Sequence, residues 1–240
     1  MKDRKKLYEG KAKAIFTFPE NPNLVVQHFK DDITAGNNEK SSKIPGKGVI
    51  NNYISAFFMT NLKNMGMKTH FLKVLNMKEQ LIKSAEVIPL EIVVRNIAAG
   101  GICKRLGIPE GTNFANPILE TYYKNDELGD PLVTDDHIIN LEWLKPSELD
   151  EIKMMSWRIS DFLSGSLSSV GIVLVDLKLE FGFCDDQIIL IDEISPDTCR
   201  FWDSVTKEKM DKDRFRKDMG DVSKYYREVA KRLGVLHGAS

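Results

Sequence analysis

Long apolar runs are absent from this sequence of 240 residues. Its apolar stretches, such as Ile172 to Val175, extend over only a few positions, whereas a membrane-spanning helix needs about 20. The N-terminal segment MKDRKKLYEG is charged and lacks the apolar core of a secretory signal. We therefore expect a protein that does not enter a membrane and that works in the cytoplasm.

Cysteine and histidine are scarce, with 3 and 4 residues respectively. The cysteines are widely spaced and form no C-x-x-C motif, and the histidines show no H-x-x-x-H spacing. These patterns exclude a disulfide framework, a zinc knuckle and a histidine metal centre, and we expect the thiols to be small, semi-buried side chains. The residues concerned are Cys103, Cys184, Cys199, His28, His70, His137 and His237.

Neither sign of charge is in excess. Lys plus Arg is 34 and Asp plus Glu is 35, which gives a net charge of −1 and no overall attraction to nucleic acid or anionic lipid. No strand combines aromatic and basic residues in a nucleic-acid-binding motif either. We expect no nucleic-acid partner, and any anionic ligand must be held by local clusters of side chains.

Patterns typical of strands occur in groups instead of alternating with helices, which predicts an α+β fold with mainly antiparallel sheets. A change in composition near residue 84 predicts two domains, 1–84 and 85–240. We predict strands at 6–9, 11–18, 24–29, 69–75, 79–84, 87–97, 118–124, 172–183 and 187–194. We predict helices at 49–65, 98–106, 146–168 and 212–233, and a polar loop at 31–48.

The strand from Ile172 to Phe181 carries an unusual set of charges. Alternation with period two places Asp176, Lys178 and Glu180 on one face, and the apolar side chains on the other face are Val173, Val175, Leu177, Leu179 and Phe181. A solvated strand surface would show the same pattern.

The following strand brings a second carboxylate toward this face. A turn centred on Cys184 to Asp186 would place Asp192 beside Lys178 and diagonal to Glu180, to within one residue of register. The preceding segment IILI predicts that Asp192 is buried, where a carboxylate needs a cation as partner. Two such carboxylates suit Mg²⁺.

Two further segments could bind anions. Lys11 and Lys13 project from one face of a strand that starts after Gly10, and a glycine turn lets backbone N–H groups approach phosphate. Surface hairpins carry similar lysines, and the P-loop and G-x-G-x-x-G patterns are absent.

Arg95 ends an apolar strand before the helix-opening segment NIAAGG, where it would either clamp an anion or cap a sheet edge. Arg200, in SPDTCRFWD, would clamp the same anion or pair with Asp197 or Asp203.

Taken together, several segments strongly resemble the SAICAR synthetase family, the phosphoribosylaminoimidazole-succinocarboxamide synthases of purine biosynthesis. The segments are LYEGKAK, VIPLEIVVRNIAAGG, KRLG, YYKND, DLKLEFG and DEISPDTCRFWD. They follow the family's order from Lys6 to Gly234. One motif departs from the pattern, because Gly101 stands where the family's AAGS motif has serine; this removes one hydrogen bond to the substrate phosphate, while backbone N–H groups remain.

The resemblance implies an ATP-dependent ligase with two domains, the second similar to ATP-grasp enzymes, that forms a homodimer. Its reaction would join L-aspartate to the carboxylate of 5-amino-1-(5-phospho-D-ribosyl)imidazole-4-carboxylate (CAIR) through an acyl phosphate, giving SAICAR, ADP and phosphate. The implied ATP site is Gly10, Lys11, Ala12, Lys13, Ile15, Val25, Lys83, Val87 and Lys124. Glu180 and Asp192 would hold Mg²⁺. The implied CAIR site is Arg95, Gly101, Asp176, Lys178 and Arg200, with Lys178 and Asp176 as catalytic residues.

Other functions fit the same residue types. A different ATP-dependent ligase, or a small-molecule kinase, would use this scaffold on another acid. A nucleotide sensor would bind ATP without turnover, but sensing needs no cation such as Lys178 at an acyl centre. The sequence does not locate the aspartate site, for which the polar stretches Asp31–Asn38 and Asp130–Asp136 are candidates.

Overall fold

The computed structural model describes residues 4–36 and 39–236. Residues 1–3 of the N-terminal segment, Asn38 of the polar stretch and His237 lie outside these ranges. The strands are β1 (Lys6–Glu9), β2 (Lys13–Thr17), β3 (Leu24–Phe29), β4 (Asp32–Ala35), β5 (Lys40–Lys43), β6 (Phe71–Asn76), β7 (Glu79–Lys83), β8 (Glu86–Ile97), β9 (Asn113–Tyr123), β10 (Leu132–Val133), β11 (Ile172–Cys184), β12 (Gln187–Leu190) and β13 (Cys199–Asp203). The helices are α1 (Lys47–Asn64), α2 (Gly101–Leu106), α3 (Asp135–Asn140), α4 (Pro146–Ser168), α5 (Asp213–Arg216) and α6 (Val222–Arg232), with a 3₁₀ turn at Asp126–Leu128.

Two large antiparallel sheets form the framework. The first has the order β1-β2-β3-β7-β6, and the second has the order β10-β9-β8-β11-β12, with β13 also paired to β11. Strands β4 and β5 form a separate hairpin. This arrangement confirms the predicted α+β class with antiparallel sheets.

Residues 84 and 85 connect the first sheet to the second, because β7 ends at Lys83 and β8 begins at Glu86. The main hydrophobic cluster nevertheless contains residues from both sides of this point, including Ile54 and Phe58 of α1 and Ile92 of β8. The division into domains 1–84 and 85–240 therefore stays a prediction.

Helix α4 covers one face of the second sheet. Pro146 begins the helix, and Glu148 accepts a hydrogen bond of 2.8 Å from the backbone N–H of Lys145, which satisfies a free donor at this end. Ile159 and Leu163 are fully buried in the main cluster, and burial of each such side chain contributes about 1.5–3 kcal/mol. The opposite face of the sheet carries the polar residues. None of the helices in the described ranges is long and apolar enough to cross a bilayer.

The structure differs from the sequence-based predictions at several elements. The loop predicted at 31–48 contains the β4–β5 hairpin, and β13 was not predicted. The strand predicted at 187–194 ends at Leu190. The helix predicted at 212–233 is divided into α5 and α6, because Asp218, Gly220 and Asp221 adopt left-handed backbone angles that a right-handed helix cannot contain.

A β-bulge in β11 corrects the predicted faces of this strand. The register with β13 shifts between Leu174 and Asp176, and such a shift interrupts the alternation of side chains. Leu177, like Leu179 and Phe181, lies in the main core. Val173 and Val175 pack instead around Ala99 and Trp202. The prediction that all five apolar residues share one face was therefore wrong for these two valines.

Candidate active site

A cavity of about 1180 Å³ is lined by residues from both large sheets and from the β4–β5 hairpin. Every residue of the implied ATP site lines it, as do Lys178, Glu180 and Asp192. The ATP-site residues are Gly10, Lys11, Ala12, Lys13, Ile15, Val25, Lys83, Val87 and Lys124. The structure thus brings together segments that are far apart in the sequence, although the role of each residue stays a prediction.

The glycine–lysine turn joins β1 to β2 at the edge of this cavity. The backbone N–H of Gly10 donates to the carbonyl of Lys13 at 2.8 Å, and Lys30 donates from its backbone N–H to Ala12 at 2.8 Å. These bonds fix a tight turn whose lysine side chains extend to different carboxylates. Lys11 lies 2.8 Å from Asp126, while Lys13 contacts Asp192 and Glu193.

The register of β8 and β11 creates the centre of the site. Glu91 and Glu180 lie directly opposite each other, an arrangement in which like charges repel. The ammonium group of Lys178 compensates, because Nζ contacts Glu180 and lies 3.2 Å from Oε1 of Glu91 and 2.9 Å from Oδ2 of Asp192. We call this set, with Lys13, Lys124 and Glu193, the acid–lysine cluster.

The β11–β12 hairpin delivers Asp192 to this cluster. Asp185 and Asp186 both adopt positive φ angles, 51° and 55°, as a two-residue type I′ turn requires. The ladder then pairs Phe181 with Leu190, and the N–H of Ile191 donates to the carbonyl of Glu180 at 3.0 Å. Asp192 follows directly, beyond the end of β12, so its carboxylate reaches Lys178 as predicted.

Burial and charge set the protonation states in the cluster. Burial lowers the pKa of Lys178, but Asp192, Glu180 and Glu91 outweigh this effect and raise its pKa well above the ordinary value. Burial raises the pKa of Asp192, but the ammonium groups of Lys13 and Lys178 outweigh burial and hold its pKa well below the usual range. Lys178 and Asp192 are therefore both charged at neutral pH, whereas burial raises the pKa of Glu91 above its ordinary value.

The carboxylates of the cluster fit Mg²⁺ in type but do not form a complete cage. Within residues 4–36 and 39–236, no three acidic, histidine or cysteine side chains are arranged to hold a metal ion. Glu180 and Asp192 are both buried and both contact the same ammonium group. Because Mg²⁺ commonly takes one or two carboxylates and completes its shell with water and phosphate oxygens, this donor set fits the ion.

A second cluster lies further along the same polar face of β11, about 7 Å from Lys178 by strand spacing. Oδ2 of Asp176 accepts hydrogen bonds from Arg95 at 2.9 Å and from Arg200 at 2.7 Å. Arg95 also donates to Glu120 at 2.6 Å, and Arg200 donates to Asp213 at 2.9 Å. We call these five residues the arginine–carboxylate cluster. None of them is among the residues that line the 1180 Å³ cavity.

The alternative pairings considered for Arg200 are not found. Asp197 contacts Lys47, and Asp203 contacts Arg232 at 2.8 Å. Burial lowers the pKa of Arg200, but Asp176 and Asp213 outweigh it and raise the pKa above its ordinary value, so the guanidinium stays cationic.

Gly100 and Gly101 have different structural roles beside Arg200. Gly100 has a φ of 66°, and a Cβ atom there would lie 2.4 Å from Nη2 of Arg200. A Cβ atom at Gly101 would meet only Nη1 of Arg105, at 3.9 Å. The serine that the family pattern has at Gly101 would therefore fit without a clash.

Sequence analysis missed several charged residues of these clusters. Glu91 shares the period-two face of Arg95, and Glu193 follows Asp192 directly, so alternation and adjacency could have indicated both. Glu120 and Asp213 became evident only through the pairing of β9 with β8 and the position of α5.

Sequence and structure comparisons find similar proteins over nearly the whole chain. The sequence profile of the SAICAR synthetase family matches residues 6–233. A phosphoribosylaminoimidazole-succinocarboxamide synthase from Neorickettsia sennetsu is 73% identical over 239 residues, covering 100% of both chains. The crystal structure of a protein of the same name from Ehrlichia chaffeensis has a TM-score of 0.95 at 51% identity, over 98% of this chain and 100% of that one.

A third relative was solved with a nucleotide. It is a SAICAR synthetase in complex with ADP, with a TM-score of 0.93 at 41% identity, and the alignment covers 97% of this chain and 99% of that one. On this evidence the chain belongs to the SAICAR synthetase family. The family, the fold class and the enzyme class predicted from the sequence are confirmed.

Proposed function

We propose that this chain is the ATP-dependent ligase that joins L-aspartate to CAIR, giving SAICAR, ADP and phosphate in de novo purine biosynthesis. Family membership supports this activity over the kinase and sensor alternatives. The observation that carries the proposal is one cavity in which the glycine–lysine turn faces Lys178, Glu180 and Asp192.

ATP is the first substrate. The turn from Gly10 to Lys13 would contact its phosphates, Ile15 and Val25 provide apolar walls for the adenine, and Lys124 would lie near the nucleotide. Lys83 and Val87 flank the connection between the two sheets, where the edge of the base would contact them. The ADP complex of a relative at 41% identity supports this assignment.

Glu180 and Asp192 would hold Mg²⁺. When bound there, the ion would neutralise charge on the phosphoryl oxygens of ATP. Lys13 and Lys124 contact the same carboxylates, so both lysines would become available to phosphate oxygens as the ion binds.

CAIR would bind along the polar face of β11. Arg95 and Arg200 supply guanidinium groups for its phosphate, backbone N–H groups at Gly101 supply further donors, and Asp176 fixes both guanidinium groups from one carboxylate oxygen. The imidazole carboxylate would then extend toward Lys178.

The reaction follows from this placement. An oxygen of the CAIR carboxylate attacks the γ-phosphorus of ATP and ADP leaves, which gives an acyl phosphate. The uncharged amine of aspartate attacks the carbonyl carbon, the amide bond forms as the C–O bond to the phosphoryl group breaks, and phosphate leaves with the carboxylate oxygen that attacked ATP and with the proton that the amine loses. Lys178 stays protonated and stabilises the negative charge on the reacting carboxylate, so catalysis depends on positioning and electrostatics and needs no nucleophilic side chain.

We also propose that the enzyme is a cytoplasmic homodimer and that each chain is divided into domains at about residue 84. The dimer and the second, ATP-grasp-like domain are implied by the family resemblance. The change of sheet between Lys83 and Glu86 supports the position of the boundary.

The experiment is a substrate-omission assay that follows ADP and the imidazole product by chromatography and mass spectrometry. We expect SAICAR only when ATP, CAIR and L-aspartate are all present, with one ADP formed for each SAICAR. Replacing CAIR or aspartate by other acids should abolish product. Failure to form SAICAR from the complete mixture, or equal ADP release with an unrelated acid, would contradict the proposal.

A further inference from the structure

Two side chains of β9, Glu120 and Tyr122, have no role in the proposed reaction although both contact Arg95. They are two positions apart, so they project from the same face of the strand. The register pairs Val93 of β8 with Glu120, which makes Glu120 a diagonal neighbour of Arg95 within reach of its long side chain. The sheet therefore places a carboxylate and a phenol hydroxyl beside this guanidinium group.

The carboxylate of Glu120 is buried, with 9% of the side chain exposed, and it is surrounded by donors. Oε2 accepts from Nε of Arg95 at 2.6 Å and from the hydroxyl of Tyr122 at 2.7 Å, and Oε1 contacts Nη2 of Arg105. Burial raises the pKa of Glu120, but Tyr122, Arg95 and Arg105 outweigh this effect and lower its pKa below the ordinary value. Glu120 is therefore charged at neutral pH, and each of its oxygens faces a guanidinium group.

The hydroxyl of Tyr122 links the same two arginines. It accepts from Nη2 of Arg95 and from Nη1 of Arg105, each at 3.3 Å, while it donates to Glu120. A hydroxyl group has one donor and two acceptor positions, so all of its positions are used. The four side chains form a closed network in which neither guanidinium group can rotate without breaking one of these bonds.

This network is attached to the segment that precedes helix α2. Nη1 of Arg95 donates to the carbonyl of Ala99 at 3.3 Å and to Asp176 at 2.9 Å, and a Cβ atom at Gly101 would lie 3.9 Å from Nη1 of Arg105. With the two bonds to β9, four of the five N–H groups of Arg95 have partners in the part of the chain that the structure describes. The orientation of the guanidinium group decides where the remaining N–H, on Nη2, points.

We infer that Glu120, assisted by Tyr122, is a positioning residue for the phosphate of CAIR, because it fixes the guanidinium groups of Arg95 and Arg105 beside Gly101. This inference rests on the proposed function, which places the phosphate at Arg95 and at the backbone N–H groups of Gly101. Arg105 then supplies a further cation next to the position where the family pattern has a serine hydroxyl and this chain has none.

The test is steady-state kinetics of Glu120→Gln with each substrate varied in turn. Glutamine has nearly the same shape, but it replaces one acceptor oxygen by an NH₂ donor that faces a guanidinium group. Loss of a charge-assisted hydrogen bond should raise the KM for CAIR about tenfold. The KM values for ATP and aspartate should change less than about twofold. We expect kcat to stay nearly constant, because a phosphate remote from the reacting atoms is bound equally in the ground state and the transition state.

A matched control removes another carboxylate that binds an arginine. Asp203 accepts from Nη2 of Arg232 at 2.8 Å, belongs to neither charged cluster of the site and does not line the cavity. Asp203→Asn should leave the KM for CAIR within about twofold of the value for the unmodified enzyme.

A second measurement separates positioning of the phosphate from a general disturbance of the CAIR site. The ribonucleoside of the same imidazole carboxylate lacks the phosphate, so its inhibition constant against CAIR should be the same in Glu120→Gln and in the unmodified enzyme. If binding of the nucleoside weakens as much as binding of CAIR, Glu120 does not act through the phosphate and the inference is wrong.

An unchanged KM for CAIR in Glu120→Gln, or equal rises in the KM values for CAIR and ATP, would also overturn the inference. Circular dichroism checks that the variant is folded. If it is not, Tyr122→Phe provides the same readout, with an expected rise in the KM for CAIR of about threefold for the loss of a neutral hydrogen-bonding group. The proposed function fails separately, because then the unmodified enzyme forms no SAICAR from the complete substrate mixture.

Discussion

At the scale of single residues, the site depends on one lysine held among three carboxylates. Lys178 keeps Glu91, Glu180 and Asp192 close together although like charges repel. The same ammonium group is the one that would stabilise the reacting carboxylate of CAIR. The Nζ atom of Lys178 therefore both holds the three carboxylates together and, in the proposed reaction, stabilises the substrate.

Lys178→Met should lower kcat by about 100-fold or more, as removal of a preorganised charge does in other active sites. Affinity for ADP should change far less, because the proposed nucleotide contacts lie on the glycine–lysine turn. Turnover assays measure kcat, and titration with ADP measures the affinity for the nucleotide. Lys73→Met is a suitable control, since Lys73 is exposed and does not line the cavity. Near-normal turnover of Lys178→Met would exclude the proposed role.

Glu180→Gln and Asp192→Asn should weaken binding of Mg·ADP and abolish Mg²⁺-dependent activity while the fold is kept, because an amide oxygen carries no charge for the ion. Isothermal titration of each variant with ADP, in the presence and absence of Mg²⁺, measures how much the ion contributes to ADP binding. Asp186→Asn on the same hairpin serves as the control, since it is exposed and asparagine is well suited to its turn position. If both acidic-site variants bind Mg·ADP as tightly as the unmodified protein, neither residue is a metal ligand.

The adjacent glycines offer a matched pair of substitutions. Gly100→Ala should raise the KM for CAIR several-fold, because its Cβ atom would displace the guanidinium of Arg200 and its φ of 66° is strained for alanine. Gly101→Ala should leave the KM nearly unchanged, and Gly101→Ser should lower it if the added hydroxyl reaches the phosphate. Equal KM values for Gly100→Ala and Gly101→Ala would show that Arg200 does not bind CAIR.

At the scale of elements, a buried network joins helices α1 and α6 to the loop before β13. Lys47 of α1 and Tyr226 of α6 both contact Asp197, and the side chains of all three are almost fully buried. Burial raises the pKa of Asp197, but the nearby lysines and Tyr226 outweigh it and lower its pKa from 3.8 to about 2. Ionised Asp197 therefore contributes stability that is fully present above pH 3.8 and is lost as the pH falls toward 2.

Lys47→Met should lower the free energy of unfolding by about 3–5 kcal/mol, because it leaves a buried carboxylate without its main cation. Lys63→Met, at the exposed end of the same helix, should change it by less than about 0.5 kcal/mol. Denaturant unfolding at pH 7 measures the free energy of unfolding of both variants. At pH 3 the two free energies should differ less. Equal stability of the two variants at pH 7 would contradict this role for Lys47.

Elements with strong periodicity could be predicted from the sequence, and local interruptions could not. Helix α4 and most strands of the two large sheets agree with their patterns because apolar spacing and Pro146 specify them locally. The bulge at Val175 and the break at Asp218 to Asp221 depend on tertiary packing and on backbone angles of non-glycine residues, for which the sequence holds no clear signal. The polar KSSK strand of β5 likewise forms through its pairing with β4.

At the scale of the whole molecule, the site joins parts of the chain that no local pattern relates. Lys13 and Asp192 are in contact although 179 positions separate them. Each segment could be recognised from the sequence on its own, and the family resemblance gave their order. The contacts of Arg95 and Arg200 with Asp176 could not be predicted, because they depend on the register of β8, β11 and β13. Lys212 and Arg216, which also line the cavity, were not recognised as candidate site residues, because they lie in a helical pattern that the fold divides.

The proposed homodimer is a further prediction at this scale. Light scattering coupled to size-exclusion chromatography should give twice the mass of one chain at micromolar concentration, and substrates should not change this mass. A single-chain mass across the concentration range of the activity assay would contradict the dimer.

The central claim is that the CAIR carboxylate is activated at the acid–lysine cluster by accepting the γ-phosphoryl group of ATP. The most direct measurement uses CAIR labelled with ¹⁸O in its carboxylate, with ATP and aspartate, followed by mass spectrometry of the phosphate released. We predict that each phosphate carries one ¹⁸O atom from the carboxylate. Phosphate without the label, formed together with SAICAR, would show that the carboxylate is never phosphorylated and would contradict the account.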